Sequence, residues 1–180
     1  LISNLGIGGA VQTGYKYAYE MGYDIAIQFD ADGQHDISYI NNLVEPITSH
    51  QANLVIGSCF IDKSAKNHRS SKTRRFGIHF LSGVIKVFSG KRIHDPTSGF
   101  RAADREVIER FASNYPLEYP EPVSNFELLK STHLKIKEIP VKMNKRTAGK
   151  SSISSWKTLY AGINVLLSIM ILSLRRSSHD

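Results

Sequence analysis

The stretch Ile25-Ala26-Ile27-Gln28-Phe29 followed by Asp30-Ala31-Asp32-Gly33-Gln34-His35-Asp36 decides how this chain is read. Ile25, Ile27 and Phe29 alternate with Ala26 and Gln28, the period of a strand, over a run from Tyr23 to Phe29. Asp30 and Asp32 then fall beyond the last buried position, on one edge at the strand's end. Two like charges crowded there are unfavourable unless a cation offsets them. Oxygen donors from Asp30, Asp32 and Gln34 suit Mg2+ or Mn2+, which accept carboxylate, carbonyl and water ligands and keep positions open for phosphates. A metal-bound diphosphate is the ligand such an edge implies. A calcium loop counted from Asp30 requires Gly at its sixth position and Glu at its twelfth, where this chain has His35 and Asn41. The competing structural reading is an acidic turn, and for Asp36 a cap on the next helix is the better description.

Outward from this edge, strand and helix alternate. Val11, Tyr15, Ala18 and Met21 recur at helical spacing after the glycine-rich turn Asn4–Gly9, and Gly22 supplies a stop. Ile37, Ile40, Val44 and Ile47 mark a second helix, and Leu54–Ile56 a short buried strand. Helices are expected around Phe76–Val87, Arg105–Phe111 and Ser124–Thr132, with a Pro/Gly turn over Asp95–Arg101. Ile139, Val141 and Met143 alternate in a strand that Pro140 assigns to a sheet edge. This pattern predicts an α/β layer fold.

The 180 residues suit one domain with a real core, and the single Cys59 excludes an internal disulfide. Leu1-Ile2 reads as the tail of a strand already under way, so an N-terminal portion is expected to be missing. A net charge of +7 suits an acidic partner. Nucleic acid is not expected, because no aromatic-basic interleaving or zinc-ligand spacing accompanies the charge. The segment Asp62–Arg75, rich in Lys, Arg and Ser, reads as a mobile loop or, alternatively, as plain solvated surface. His35, His79 and His94 fall at no metal-ligand spacing and read as turn or packing residues.

The last stretch, Trp156–Leu174, is the most apolar. Its uninterrupted part falls short of the roughly 20 residues that span a bilayer. Ile163, Leu166, Leu167, Met170, Ile171 and Leu174, followed by Arg175 and Arg176, describe either an amphipathic anchor on an anionic membrane surface or a helix packed on the domain.

Three further segments carry chemistry. Gly8 and Gly9, in the turn before the first helix, let backbone approach a charged or flat ligand. In His94–Arg101, Asp95 is a candidate base and Arg101 can meet a carboxylate or phosphate; the alternative is an Asp-Pro turn with Arg101 in a structural ion pair. Arg146 and Lys150 lie in a basic, Gly-containing loop that can close over a diphosphate and neutralise charge on a leaving group.

The ordered series NLGIGGAVQTG, DADGQHD, LVIGS, DPTSGFRA, YPEP and IPVKMNKRTAGKSSI resembles the family 2 glycosyltransferases of GT-A fold, from Asn4 to about Ile153. The branch it is most similar to contains the dolichyl- and undecaprenyl-phosphate sugar transferases. The resemblance implies an N-terminally truncated, nucleotide-sugar-binding α/β/α sandwich over residues 1–153, with residues 154–180 as an apolar helix and basic tail. It implies inverting transfer from a nucleotide-diphospho sugar to a polyprenyl-phosphate or glycan acceptor in cell-surface polysaccharide synthesis, at the cytoplasmic, inner face of a membrane. Asp30 and Asp32 match the family's Asp-x-Asp motif, Gln34 an accessory metal ligand, Gly8 and Gly9 the loop beside the nucleoside, and Arg146 a diphosphate-binding residue. Asp95 becomes the base for an acceptor hydroxyl, or an orienting group for a lipid phosphate.

Two departures qualify what is implied. The family's opening Pro-x-Tyr-Asn-Glu and Asp-Asp-Gly-Ser type motifs are absent, which keeps open a non-catalytic relative that binds membrane or partner. Cys59 stands where lipid-phosphate members often have Arg in Gly-Ser-Arg, which favours a sugar hydroxyl as acceptor.

Overall fold

A computed structural model describes residues 4–30, 32–61, 72–131, 133–144 and 155–174. In chain order the elements are α1 (Gly6–Glu20), β1 (Ile25–Gln28), a 3-10 turn (Ile37–Tyr39) leading into α2 (Ile40–Thr48), β2 (Leu54–Ser58), α3 (Lys72–Ser89), β3 (Arg101–Asp104), α4 (Arg105–Ser113), α5 (Pro120–Lys130), β4 (Ile136–Pro140) and α6 (Ser155–Leu174).

The four strands form one sheet in the order β1–β3–β2–β4. β3 runs antiparallel to both neighbours, whereas β2 and β4 are parallel. Leu54-Val55-Ile56 is apolar without alternation because β2 is covered on both faces, and all five of its residues are buried. β4 lies at the sheet's edge, as Pro140 requires, but it spans Ile136–Pro140, so Val141 and Met143 of the expected strand lie beyond it and Met143 makes only an isolated bridge to His35.

Side-chain alternation divides the core into two layers. Leu54, Ile56 and Ala103 point to one face, where Tyr15 of α1, Phe111 of α4, Ile85 of α3, Phe126 of α5 and Ile169 of α6 meet them. Val55, Ala102 and Phe100 point to the other, against Leu43 and Ile47 of α2. The result is an α/β/α arrangement, consistent with the α/β layer fold that the alternating pattern predicts.

At the N-terminus the expected turn is instead helix. The Asn4 side chain accepts the Gly6 N–H at 2.9 Å, and α1 starts there. Gly8 and Gly9 are buried inside α1, and a Cβ on Gly8 would fall 2.3 Å from the Pro116 carbonyl oxygen. The glycine is needed for helix-to-backbone approach, so its local role is packing and not an open phosphate cradle.

α6 packs along α3 and α5, with Val165 and Ile169 buried in the core. Its other side exposes Tyr160, Ile163, Leu167, Met170, Ile171 and Leu174. Among the described residues, no helix is long and apolar enough to cross a membrane.

Candidate active site

β1 releases the chain at Gln28, and the Asp30–Asp36 loop folds back over the end of the sheet. The anchor is His35. Its ring stacks on Phe100 with centroids 4.7 Å apart and planes at 15°, while Phe29 meets both rings edge-on. Nδ1 accepts the Asp30 backbone N–H at 3.0 Å, and Nε2 lies 3.8 Å from Asp30 Oδ2. Burial holds the His35 pKa below its usual value despite the nearby Asp30 and Asp32 charges, in keeping with an Nδ1 that accepts the Asp30 N–H. The packing role expected for His35 thus also fixes the loop's entry.

Within the loop, Asp32 Oδ1 accepts the Gln34 N–H at 3.0 Å, closing a turn in which Gly33 takes φ of 77°. The Gln34 carbonyl accepts the Asn144 N–H at 2.9 Å, tying the loop to the chain after β4. Asp36 caps the following turn through the Ser38 N–H at 2.9 Å, and that bond lowers its pKa. Asp30 remains outward-facing, with its side chain 54% exposed against 4% for His35.

Opposite Asp30 stands Gly99. A Cβ at position 99 would lie 3.2 Å from Asp30 Oδ2 and 3.2 Å from Gln28 Nε2. The loop before β3 therefore passes close against the acidic edge. Cross-strand pairing of Gln28 with Arg101 adds a buried polar net beneath it. Arg101 Nε donates to Gln28 Oε1 at 3.0 Å, and Gln28 Nε2 donates to Glu121 Oε1 at 3.3 Å. The guanidinium also donates to Ser124 Oγ at 3.1 Å, to Asn125 Oδ1 at 3.4 Å and to the Tyr115 hydroxyl. Arg101 is completely buried and takes part in none of the ion pairs among the described residues. It neither reaches an external anion nor forms the ion pair weighed from sequence; neutral acceptors satisfy it, with the Phe111 and Tyr115 rings 5.6 and 5.8 Å from its carbon.

Asp95 sits at the other end of the same loop and is only 3% exposed. Thr97 Oγ1 donates to its Oδ1 at 3.1 Å, and Cys59 Sγ lies 3.8 Å from Oδ2. Ser98 Oγ donates to the Gly57 carbonyl at 2.6 Å, and Asn125 Nδ2 to the Pro96 carbonyl at 3.2 Å. Burial raises the Asp95 pKa to about 6, with Thr97 and Arg74 opposing the rise. The same burial and the Asp95 charge push Cys59 to about 12, so its thiol stays protonated.

Of the residues singled out from sequence, the structure brings Asp30, Asp32 and Gln34 together in one loop. It places Asp95 inside the adjoining loop, and Gly8 and Gly9 within α1. Arg146 and Lys150 lie outside the described residues. Gln28, Glu121 and Glu138 were not singled out; the available signal was a carboxylate or amide inside an otherwise apolar strand or at a helix start.

Among the described residues, no three His, Cys, Asp or Glu side chains are grouped to hold a metal ion by themselves. Two carboxylates and an amide in one loop fit a different mode, in which Mg2+ is held by one or two carboxylates while substrate phosphates and water complete the shell. The donor chemistry of Asp30, Asp32 and Gln34 fits that mode.

The chain belongs to glycosyl transferase family 2, whose model matches residues 1–111. It is 34% identical to the UDP-N-acetylglucosamine–dolichyl-phosphate N-acetylglucosaminyltransferase of Methanococcus voltae over 141 residues, covering 77% of this chain and 55% of that protein. It is 32% identical to the polyprenol monophosphomannose synthase of Mycolicibacterium smegmatis, covering 60% of this chain and 40% of that protein. To the undecaprenyl-phosphate mannosyltransferase of Micrococcus luteus it is 28% identical, covering 89% of this chain and 65% of that protein. The chain thus spans less than two thirds of the length of each of these relatives.

Proposed function

We propose that this chain carries the acidic-loop part of an inverting glycosyltransferase that moves a sugar from a nucleotide-diphospho sugar to a polyprenyl phosphate. The observation that carries this reading is the outward-facing Asp30 carboxylate at the end of β1, in the loop that also holds Asp32 and Gln34, in a chain whose relatives are named for polyprenyl-phosphate acceptors. Those names favour a lipid phosphate over the sugar hydroxyl that Cys59 suggested.

In this reading Asp30, Asp32 and Gln34 hold Mg2+ or Mn2+. The bound cation would offset charge on the nucleoside diphosphate as it leaves. Asp30 and Asp32 orient the diphosphate at the sheet's rim, and His35 with Gly99 keeps Asp30 in place. Arg146 and Lys150 are assigned to the diphosphate on sequence grounds. Asp95, with a pKa raised to about 6, is ionised in most molecules at neutral pH and suited to accept a proton. Toward an already ionised lipid phosphate its part is to order the loop that faces the acceptor.

The apolar residues left exposed on α6, together with Phe76, Phe80 and Val87 on α3, support contact with an anionic membrane surface that holds such an acceptor. The inner, cytoplasmic face is the side on which nucleotide sugars are expected, and the product would serve cell-surface polysaccharide synthesis.

The test is transfer of radiolabelled sugar from UDP-N-acetylglucosamine or GDP-mannose to undecaprenyl phosphate in detergent with Mn2+. Lipid-linked product that Asp32→Ala abolishes, in a variant with unchanged melting, supports the proposal. A folded chain that binds vesicles but gives no product with either donor would instead be the non-catalytic membrane module.

A further inference from the structure

The loop that carries Asp95 is held from outside by one carboxylate, that of Glu138. Glu138 lies on edge strand β4 with its side chain 9% exposed. Its Oε1 accepts the Asp95 backbone N–H at 2.8 Å, and its Oε2 accepts the His94 backbone N–H at 2.8 Å. His94 Nδ1 lies 2.8 Å from the same Oε2. A carboxylate only accepts, so the His94 ring presents its proton at Nδ1 and makes a third donor. Both N–H groups precede Pro96 in a segment outside any helix or strand, where no ladder partner exists for them.

We propose that Glu138 is a positioning residue for the Asp95 loop: its two oxygens clamp the His94 and Asp95 amides and so set where the Asp95 carboxyl and the Gly99 backbone stand relative to the acidic edge at Asp30. The clamp crosses from β4 to the segment before β3, elements that are not neighbours in the sheet. It also places a negative charge close to the Asp95 carboxyl. Among the described residues, the groups facing that carboxyl are Thr97 from its own loop, Cys59 after β2, Arg74 from α3 and Glu138 from β4, the last acting to raise its pKa. A purely architectural Glu138 would hold β4 without governing either the loop amides or the ionisation of Asp95.

The experiment combines hydrogen exchange and carboxyl titration on the full chain, and only its activity arm rests on the function proposed above. In the unmodified chain the His94 and Asp95 amides should exchange slowly although they lie outside regular structure; exchange at the rate of an open loop overturns the proposal, whether or not any variant folds. Glu138→Gln keeps the shape but turns an amide N–H2 toward one of the two donors. It should speed exchange at those amides by about tenfold or more, as expected for losing a charge-assisted bond. The Asp95 carboxyl, followed by 13C NMR, should titrate at lower pH in E138Q than in the unmodified chain. Unchanged exchange or an unchanged Asp95 titration overturns the proposal. With undecaprenyl phosphate and a sugar nucleotide, E138Q should lose kcat while the donor KM holds; an unchanged kcat, or a donor KM that rises in step with the kcat loss, also overturns it. Absence of turnover in the unmodified chain would count against the transferase reading, and the exchange and titration results would still decide the role of Glu138.

Discussion

Gly99 closes on the carboxylate of Asp30: a Cβ at position 99 would stand 3.2 Å from Oδ2 and 3.4 Å from Oδ1. Both residues lie just past the ends of paired strands, one beyond β1 and one before β3, and the Gln28–Arg101 register brings them face to face. The acidic edge is thus shaped by a residue that carries no functional group.

Gly99→Ala tests that relationship. Asp30 is half-exposed and can swing away by a few tenths of an ångström, so the fold should tolerate the methyl, with a stability loss of about 1 kcal/mol or less. On the proposed function, metal-dependent binding of a sugar nucleotide should weaken by about tenfold, because the methyl displaces the Asp30 carboxylate from its place at the strand end. Melting curves and calorimetry on G99A separate the two effects, and unchanged nucleotide binding would show that Asp30 is not a ligand.

Asp95 gives a pH signature. Its pKa rises from 3.8 to about 6 on folding, chiefly through burial. Below about pH 4 the acid is neutral in both states and its contribution is fully present. Between about 4 and 6 the unfolded chain ionises first, so stability falls as pH rises, and above that window the loss is complete. Asp95→Asn, which never ionises, should gain on the unmodified chain across this window and end up more stable at pH 7 by up to about 3 kcal/mol. Urea denaturation at pH 4 and pH 7 measures the difference. A gain equal at both pH values would show that the effect is packing and not ionisation.

The pattern of legible and hidden features follows from where the partners lie in the chain. Ile25 and Ile27 announce β1 because alternation is local, and Asp36 announces its cap for the same reason. Arg101-Ala102-Ala103-Asp104 carries no β-branched or aromatic residue; it is a strand because β1 and β2 flank it, and pairing overrides propensity. The glycines at 8 and 9 read as a turn, yet Gly8 serves a contact with Pro116 and Leu117 that no local pattern reports. From sequence Arg101 reads as a contact for a carboxylate or phosphate or as half of a structural ion pair, and its burial depends on Gln28, Tyr115, Ser124 and Asn125 converging from three other segments. The acidic loop itself was visible, whereas the Glu138 clamp on its neighbour needed the fold.

Arg101→Lys retains the charge but replaces a planar, five-donor group by a compact ammonium that cannot reach Gln28, Ser124, Asn125 and Tyr115 together. Several buried acceptors lose their donor at once. The expected cost is about 2–4 kcal/mol, read as a lower urea midpoint. A midpoint matching the unmodified chain would mean that the buried net contributes little to holding β1 against β3.

The proposed function requires that Asp30 and Asp32 hold a divalent ion on which the diphosphate of a sugar nucleotide rests. Titration calorimetry of the full chain with UDP-N-acetylglucosamine and GDP-mannose, with and without Mn2+, tests it most directly when repeated on Asp30→Asn/Asp32→Asn. Heat that requires the metal and disappears in the double variant is the predicted result. Binding of equal strength without metal, or binding retained by the folded double variant, would rule out a metal-held diphosphate at this loop.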